Sequence, residues 1–202
     1  VSLTERSQSL LKRNLTLEDT LPTRMPVYVN SVAYLFGAGS LVGFLMLILT
    51  GLVMTIFGPN WYHYSATGHF VNSLHFWSTQ IFFVALLLHL VVKFVMAAWR
   101  DKRFKTWIFG ILSFAVLIFT GLTGFLLQSS WDSQWIAVQA KDAMNAIGIG
   151  AWFNTANVGQ MLTLHIALLP VLGAILVGVH LFFVRRDSPV KPLSRSGRRH
   201  ES

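Results

Sequence analysis

Four histidines lie inside two long apolar stretches, and their spacing is regular. Ser73–Arg100 carries His75 and His89, 14 residues apart, and Met161–Val184 carries His165 and His180, 15 apart. On a helix of about 100° and 1.5 Å per residue, 14 residues make four turns minus about 40°, and 15 make four turns plus about 60°. Each helix therefore offers two imidazoles on broadly one face, at depths about 21–22 Å apart. Pairing across the helices makes two sites, each with one histidine from each helix, near opposite sides of a membrane.

An ionisable side chain inside a bilayer is costly and usually faces the bundle interior for a functional reason. Hydrogen-bonded core histidines or a proton relay are the plain alternatives, and matched pairs on two spans weigh against both. Imidazoles also ligate zinc or copper, but the chain has no cysteine, and no carboxylate lies at these depths. Imidazole pairs with no other donor beside them suit a six-coordinate haem iron held from both axial sides. The reading is two bis-histidine b-type haems, with His75, His89, His165 and His180 as iron ligands.

The remaining composition describes the elements that would carry them. Of 202 residues 53% are hydrophobic and only 12% charged, and the apolar residues fall in long blocks, as in an integral membrane protein. The absence of cysteine excludes disulfides, thiolate metal sites, iron–sulfur clusters and thioether-attached haem on this chain. A net charge of +8 would suit nucleic acid, but the basic residues cluster just outside the apolar blocks, which is a topology signal. Nucleic acid is not an expected partner.

Residues 1–28 are polar, with leucines interleaved among Arg6, Lys12, Arg13 and Arg24, and are expected to form a surface helix or a solvated tail. Residues 29–186 are expected to form the membrane domain, and 187–202 a basic tail. The first span, Ser31–Phe57, has no charge and exceeds the ~20 residues needed to cross; Gly58, Pro59 and Asn60 break it. A loop to Asn72 with His63 and His69 leads into the His75/His89 helix. The third span is Trp107–Leu127 and the fourth Met161–Val184, with Pro170 as an expected kink. The connection from Gln128 to Gln160 is long enough to contain its own structure. The expected fold is an all-α bundle of four transmembrane helices. Lysine and arginine concentrate at the amino terminus, in the second-to-third loop and in the tail, so both termini are expected in the cytoplasm, with the protein in the plasma membrane. His75 and His165 then form the outer pair, and His89 and His180 the inner one.

Glycines repeat the pitch on the two spans that lack histidine ligands. Gly37 and Gly51 are 14 apart in the first span, and Gly110 and Gly124 are 14 apart in the third. Small residues in transmembrane helices also serve close backbone approach. The shared pitch instead suggests room for porphyrin edges, with Gly51 and Gly124 at the outer haem and Gly37 and Gly110 at the inner one.

With that frame in place, residues Met25 to Arg186 resemble the amino-terminal half of cytochrome b from bc- and b6f-type quinol oxidoreductases. The similar stretches include HxWS at His75–Ser78, TWxxG at Thr106–Gly110, TGF at Thr123–Phe125, WD at Trp131–Asp132, WxAV at Trp135–Val138 and LHxxxLP at Leu164–Pro170. The 15-residue separation on the fourth span resembles the split, chloroplast-type and Gram-positive form, which implies that the remaining helices belong to a separate subunit.

The resemblance implies two non-covalent haem b groups and quinol and quinone as substrates. It also implies a carboxy-terminal (subunit IV-like) partner, a Rieske iron–sulfur protein, a cytochrome c-type subunit and a dimeric complex. Electrons would pass from an outer quinol site through outer then inner haem to an inner quinone site, and Ser129–Val138 resemble a segment lining the outer one. Arg185 matches a family arginine near the inner quinone site, and Arg103 a basic residue near the inner haem propionates. The chain departs from the family pattern at Asn72 and Phe76, where arginines are frequent, and at Lys93, one residue from a usual arginine. Leu35 takes the position where many split-type complexes attach a third haem through cysteine. These departures keep open a second reading, a dihaem membrane anchor that links the quinone pool to a different dehydrogenase or reductase without bifurcation.

Overall fold

A backbone inside a bilayer has no water to bond to, so an apolar run must satisfy its amides internally. The computed structural model of the chain describes residues 4–7, 9, 32–128, 130–187 and 190, and all regular structure among them is helical. Four stretches are long and apolar enough to cross a membrane: Val32–Tyr64, Ala66–Val95, Asp101–Leu126 and Val158–Arg186. The chain is a multi-pass membrane protein. Residues 4–7 and 9 are helical and exposed; the rest of the expected surface helix over 1–28 and the tail beyond 190 lie outside the described residues.

Helix α1 (Val32–Tyr64) loses helical geometry at Gly58, whose φ of 77° and ψ of 173° suit a residue without Cβ, just before Pro59. Its apolar segment therefore ends where expected. Helix α2 (Ala66–Val95) begins earlier than the sequence suggests, because Ser65 caps it by accepting the Gly68 amide at 2.9 Å. The expected loop to Asn72 is thus mostly helix, with His69 on α2 and His63 in the last turn of α1, both exposed.

A tight turn with Ala97 and Asp101 at positive φ leads to a 3₁₀ turn, Asp101–Arg103, and into α3 (Phe104–Leu126). Phe94, Trp99 and Trp107 cluster there, with Trp99 5.0 Å from Phe94 and 5.4 Å from Trp107 by ring centroid, as in an aromatic belt at the membrane interface. The long connection contains α4 (Trp131–Ala146), capped by Ser130. The Thr155 hydroxyl donates to the Ala137 carbonyl at 2.7 Å and anchors α4 over Leu126 and Met161. The fourth span consists of α5 (Val158–Thr163), a π-helical turn over Leu164–Leu168, and α6 (Leu169–Arg186).

Helix α1 packs along α2 and α3 along α6. Phe44, Phe82 and Leu117 form the buried centre where the pairs meet, with Val177 packed against them. Above and below it, the buried residues are small: Ser40, Thr50, Ser113, Thr123 and Gly173. Their hydroxyls bond back to carbonyls three or four residues earlier, for example Thr50 to Met46 at 2.7 Å and Ser113 to Phe109 at 2.7 Å, which makes their burial cheap. Large apolar side chains such as Leu35, Leu49 and Ile56 point outward. Lipid is as apolar as leucine, so small residues are free to line the interior.

Candidate metal centres

All four span histidines are half-buried and turn toward a neighbouring helix. His75 and His165 face each other with ring centroids 6.3 Å apart and planes at 83°. A metal bound to one nitrogen of each ring at about 2 Å needs ring centres roughly 6–6.5 Å apart, so this separation fits one ion between two imidazoles. His89 and His180 are close enough to interact electrostatically, at the other end of the bundle. Among the described residues, no group of three or more His, Cys, Asp or Glu comes together to hold a bare metal ion. Two axial imidazoles are enough only for a metal that brings its own equatorial donors, which haem does.

Each of the four glycines faces one of these histidines. A Cβ at Gly124 would lie 2.5 Å from Cε1 of His165, and one at Gly51 would lie 3.3 Å from Cε1 of His75. At the other level, a Cβ at Gly37 would lie 2.9 Å from Nδ1 of His89, and one at Gly110 would lie 3.0 Å from Cε1 of His180. The structure groups Gly51 and Gly124 with one pair and Gly37 and Gly110 with the other. The imidazole itself takes the space that each missing side chain leaves.

The ring nitrogens show which atom is left for a metal. His165 Nδ1 lies 2.9 Å from the Thr120 carbonyl, and His180 Nδ1 2.9 Å from the Thr106 carbonyl. A carbonyl only accepts, so both Nδ1 atoms carry the proton and each Nε2 keeps a free lone pair. His75 Nδ1 lies 2.8 Å from Thr50 Oγ1, whose one hydrogen is donated to Met46, so that Oγ1 accepts too. Bonds of this kind orient a ligating imidazole and fix its tautomer. Thr123 adds a longer contact to His165 Nδ1 at 3.3 Å. His89 Nδ1 is buried without a partner.

Sequence reasoning missed the threonines, although a signal was present. Gly37, Ser40, Thr50 and Gly51 in α1 recur as Gly110, Ser113, Thr123 and Gly124 in α3, at one constant offset of 73 residues. Both serines and both threonines are buried. The two helices that lack these histidines thus present the same face to them.

The histidine spacings are reconciled by the π turn. Its wider winding takes one extra residue without extra advance, so 15 residues from His165 to His180 act much like the 14 from His75 to His89. The turn surrounds His165 and ends at Leu169, directly before Pro170. Proline has no amide to donate and crowds the carbonyl four residues back, and a π turn relieves both problems.

The two arginines singled out by sequence lie at the His89/His180 end. Arg103, in the 3₁₀ turn, pairs with Asp101 at 3.4 Å, and Arg185 is exposed in the last turn of α6. Nearby, the Thr106 hydroxyl donates to the Asp187 carboxylate at 3.2 Å and ties α3 to the end of α6. Leu35 points outward, whereas the neighbouring Tyr34 ring lies under the Lys93 ammonium, 3.7 Å from its centroid, and its hydroxyl bonds the Val190 carbonyl. At the opposite end, a cavity of about 270 Å³ lies between α4 and the bundle, lined by Leu126, Gln134, Ala137, Val138, Thr155 and Met161 among others. Ser129 is outside the described residues.

Comparison with known proteins agrees with this architecture. A family described as "Cytochrome b(N-terminal)/b6/petB" matches residues 80–201. The chain is 25% identical over 214 residues to cytochrome b6 of Cyanidium caldarium, covering 92% of this chain and 96% of that protein. It is 24% identical to cytochrome b6 of Emiliania huxleyi and 23% to that of Gloeobacter violaceus, with the same coverage. Among solved structures, a chain of "Hyperthermophilic respiratory Complex III" superimposes with a TM-score of 0.72 at 22% identity, over 91% of this chain. This chain spans about 56% of that one, and the likeness is one of fold.

Proposed function

The chain belongs to the N-terminal cytochrome b/b6 family, and from that membership and its histidine geometry we propose that it is the dihaem cytochrome b subunit of a bc- or b6f-type quinol oxidoreductase. The observation that carries this reading is the 6.3 Å separation of His75 and His165, with a glycine facing each ring. His75 and His165 would hold the outer haem b, and His89 and His180 the inner one. When bound, haem b supplies reversible one-electron Fe(III)/Fe(II) chemistry at each depth, and so links a quinol-oxidation site at one face to a quinone-reduction site at the other.

The chain's own residues do the positioning. Thr50, Thr120 and Thr106 hold the Nδ1 protons, which leaves Nε2 of His75, His165 and His180 with the lone pair that would ligate the iron. Gly37, Gly51, Gly110 and Gly124 leave room for the imidazoles to approach α1 and α3. The apolar cavity under α4 lies where the Ser129–Val138 segment would line the outer quinol site. Arg103 and Arg185 stand at the inner end, for propionate and quinone respectively. The partners are a subunit IV-like chain, a Rieske protein and a cytochrome c-type subunit in a dimeric complex, with both termini of this chain in the cytoplasm.

Purification of the intact complex, with its subunits identified and its haem counted, tests the reading. Two low-spin b haems per chain together with a Rieske protein are expected. Two haems beside a molybdenum or nickel–iron catalytic subunit would instead favour the non-bifurcating anchor, and a haem-free chain would overturn both.

A further inference from the structure

Two of the four histidines follow one rule, a third finds a different acceptor, and the fourth has none. The carbonyl four residues before the facing glycine takes Nδ1 of His165, from Thr120 before Gly124, and Nδ1 of His180, from Thr106 before Gly110. His75 uses Thr50, adjacent to its own glycine. The matching position for His89 is Ala33, four before Gly37, and its carbonyl does not take the proton. Among the described residues, two side-chain nitrogens are buried without a hydrogen-bond partner: His89 Nδ1 and Lys93 Nζ.

These two nitrogens belong together. Lys93 follows His89 by four residues on α2, which places both side chains on one face about 5–6 Å apart. The Lys93 ammonium rests 3.7 Å from the centroid of the Tyr34 ring, on the first turn of α1 beside Ala33. A ring face attracts a cation but carries no counter-charge. The inner site thus has a buried positive charge one helical turn from a ligand, and a ligand whose Nδ1 is not engaged.

Building on the haem reading above, which already runs electrons from the outer to the inner site, we infer that Lys93 and the unengaged His89 imidazole are the groups that raise the inner potential, and that the Nδ1 contacts of His75 and His165 lower the outer one. Reducing a haem iron adds one negative charge, which a nearby ammonium in a low-dielectric interior stabilises. An imidazole whose Nδ1–H is held by an acceptor is a more basic ligand and stabilises the ferric state. Both effects point the same way. The transfer itself moves one electron from the outer iron, which is oxidised, to the inner iron, which is reduced, and involves no proton; quinol supplies the electron. The ammonium acts mainly at one end, because the outer ligand on α2 is about 27 Å from Lys93 along the helix.

Redox titration of the two b haems in membranes containing the full complex tests this, with Lys93→Met, Lys93→Arg and Thr50→Val beside the parent chain. Lys93→Met should shift the electron-exchange equilibrium between the haems about tenfold toward the outer one, 59 mV for one electron, by lowering the inner potential alone. Lys93→Arg should restore it. Thr50→Val should raise the outer potential alone. A Lys93→Met complex whose potentials stay within twofold of the parent ratio, or move together, would overturn the inference. If Lys93→Met does not assemble, Lys93→Gln and the Thr50→Val arm decide, and an unmoved outer potential counts against it. A parent chain with fewer than two b haems would overturn the haem reading itself, which the spectra report before any titration.

Discussion

The amide of Leu169 donates to the carbonyl of Leu164, five residues back rather than four. This single bond closes the π turn around His165 and brings it onto the same face of the fourth span as His180. Pro170 follows directly, so replacing it returns an amide to the backbone and removes the ring that disfavours α-helical winding. Pro170→Ala should let the turn tighten and rotate His165. The expected outcome is a shifted or lost outer-haem signal in low-temperature difference spectra, with the inner haem unchanged. An unaltered outer haem would mean that packing against α1 and α3 maintains the π turn without the proline.

The glycines should not be equally sensitive. A Cβ at Gly124 would meet His165 at 2.5 Å, while one at Gly51 would meet His75 at 3.3 Å. Overpacking of this kind costs about 1–3 kcal/mol. Gly124→Ala should weaken or abolish the outer haem, and Gly51→Ala should retain it with a small spectral shift. Leucine at Gly124 should remove the outer haem and leave the inner spectrum intact. Equal tolerance of alanine at both positions would assign these glycines to helix packing only.

Ligand replacement separates the two levels. His75→Ala or His165→Ala should remove the outer haem, and His89→Ala or His180→Ala the inner one, each halving the low-spin b content per chain. A purified His89→Ala protein with two low-spin b haems would refute the assignment.

Haem attachment should be non-covalent throughout. A thioether needs a thiol, and the chain has no cysteine. Denaturing electrophoresis with peroxidase staining should leave the 22.7 kDa band unstained. A stained band at that mass would contradict this.

Much of this protein follows from sequence because the bilayer removes most alternatives. An uncharged run such as Ser31–Phe57 must be helical in lipid, and a helix has one pitch. Four spans, two histidine levels and the matching glycine levels follow from counting residues. The Gly58–Pro59 break is equally local, since proline and positive φ act on their own backbone. The early start of α2 was less visible, because Ser65 caps through an amide three residues on and the segment after it looks like a polar loop.

What depended on tertiary structure is the set of contacts that cross between helices. The 15-residue spacing alone rotates His180 about 60° from His165; only the wound chain shows the π turn that absorbs the extra residue. The partners of the Nδ1 atoms, Thr50, Thr120 and Thr106, lie 25, 45 and 74 residues away from the histidines they hold. Their acceptors point inward because small residues line the bundle interior and let neighbouring helices approach. Lys93 stands out in sequence only as a departure one residue from a usual arginine, yet the packing of α1 on α2 places its ammonium over Tyr34 and out of solvent. Helix pitch is a local property of the chain, whereas the rotation of each helix about its own axis is set by its neighbours.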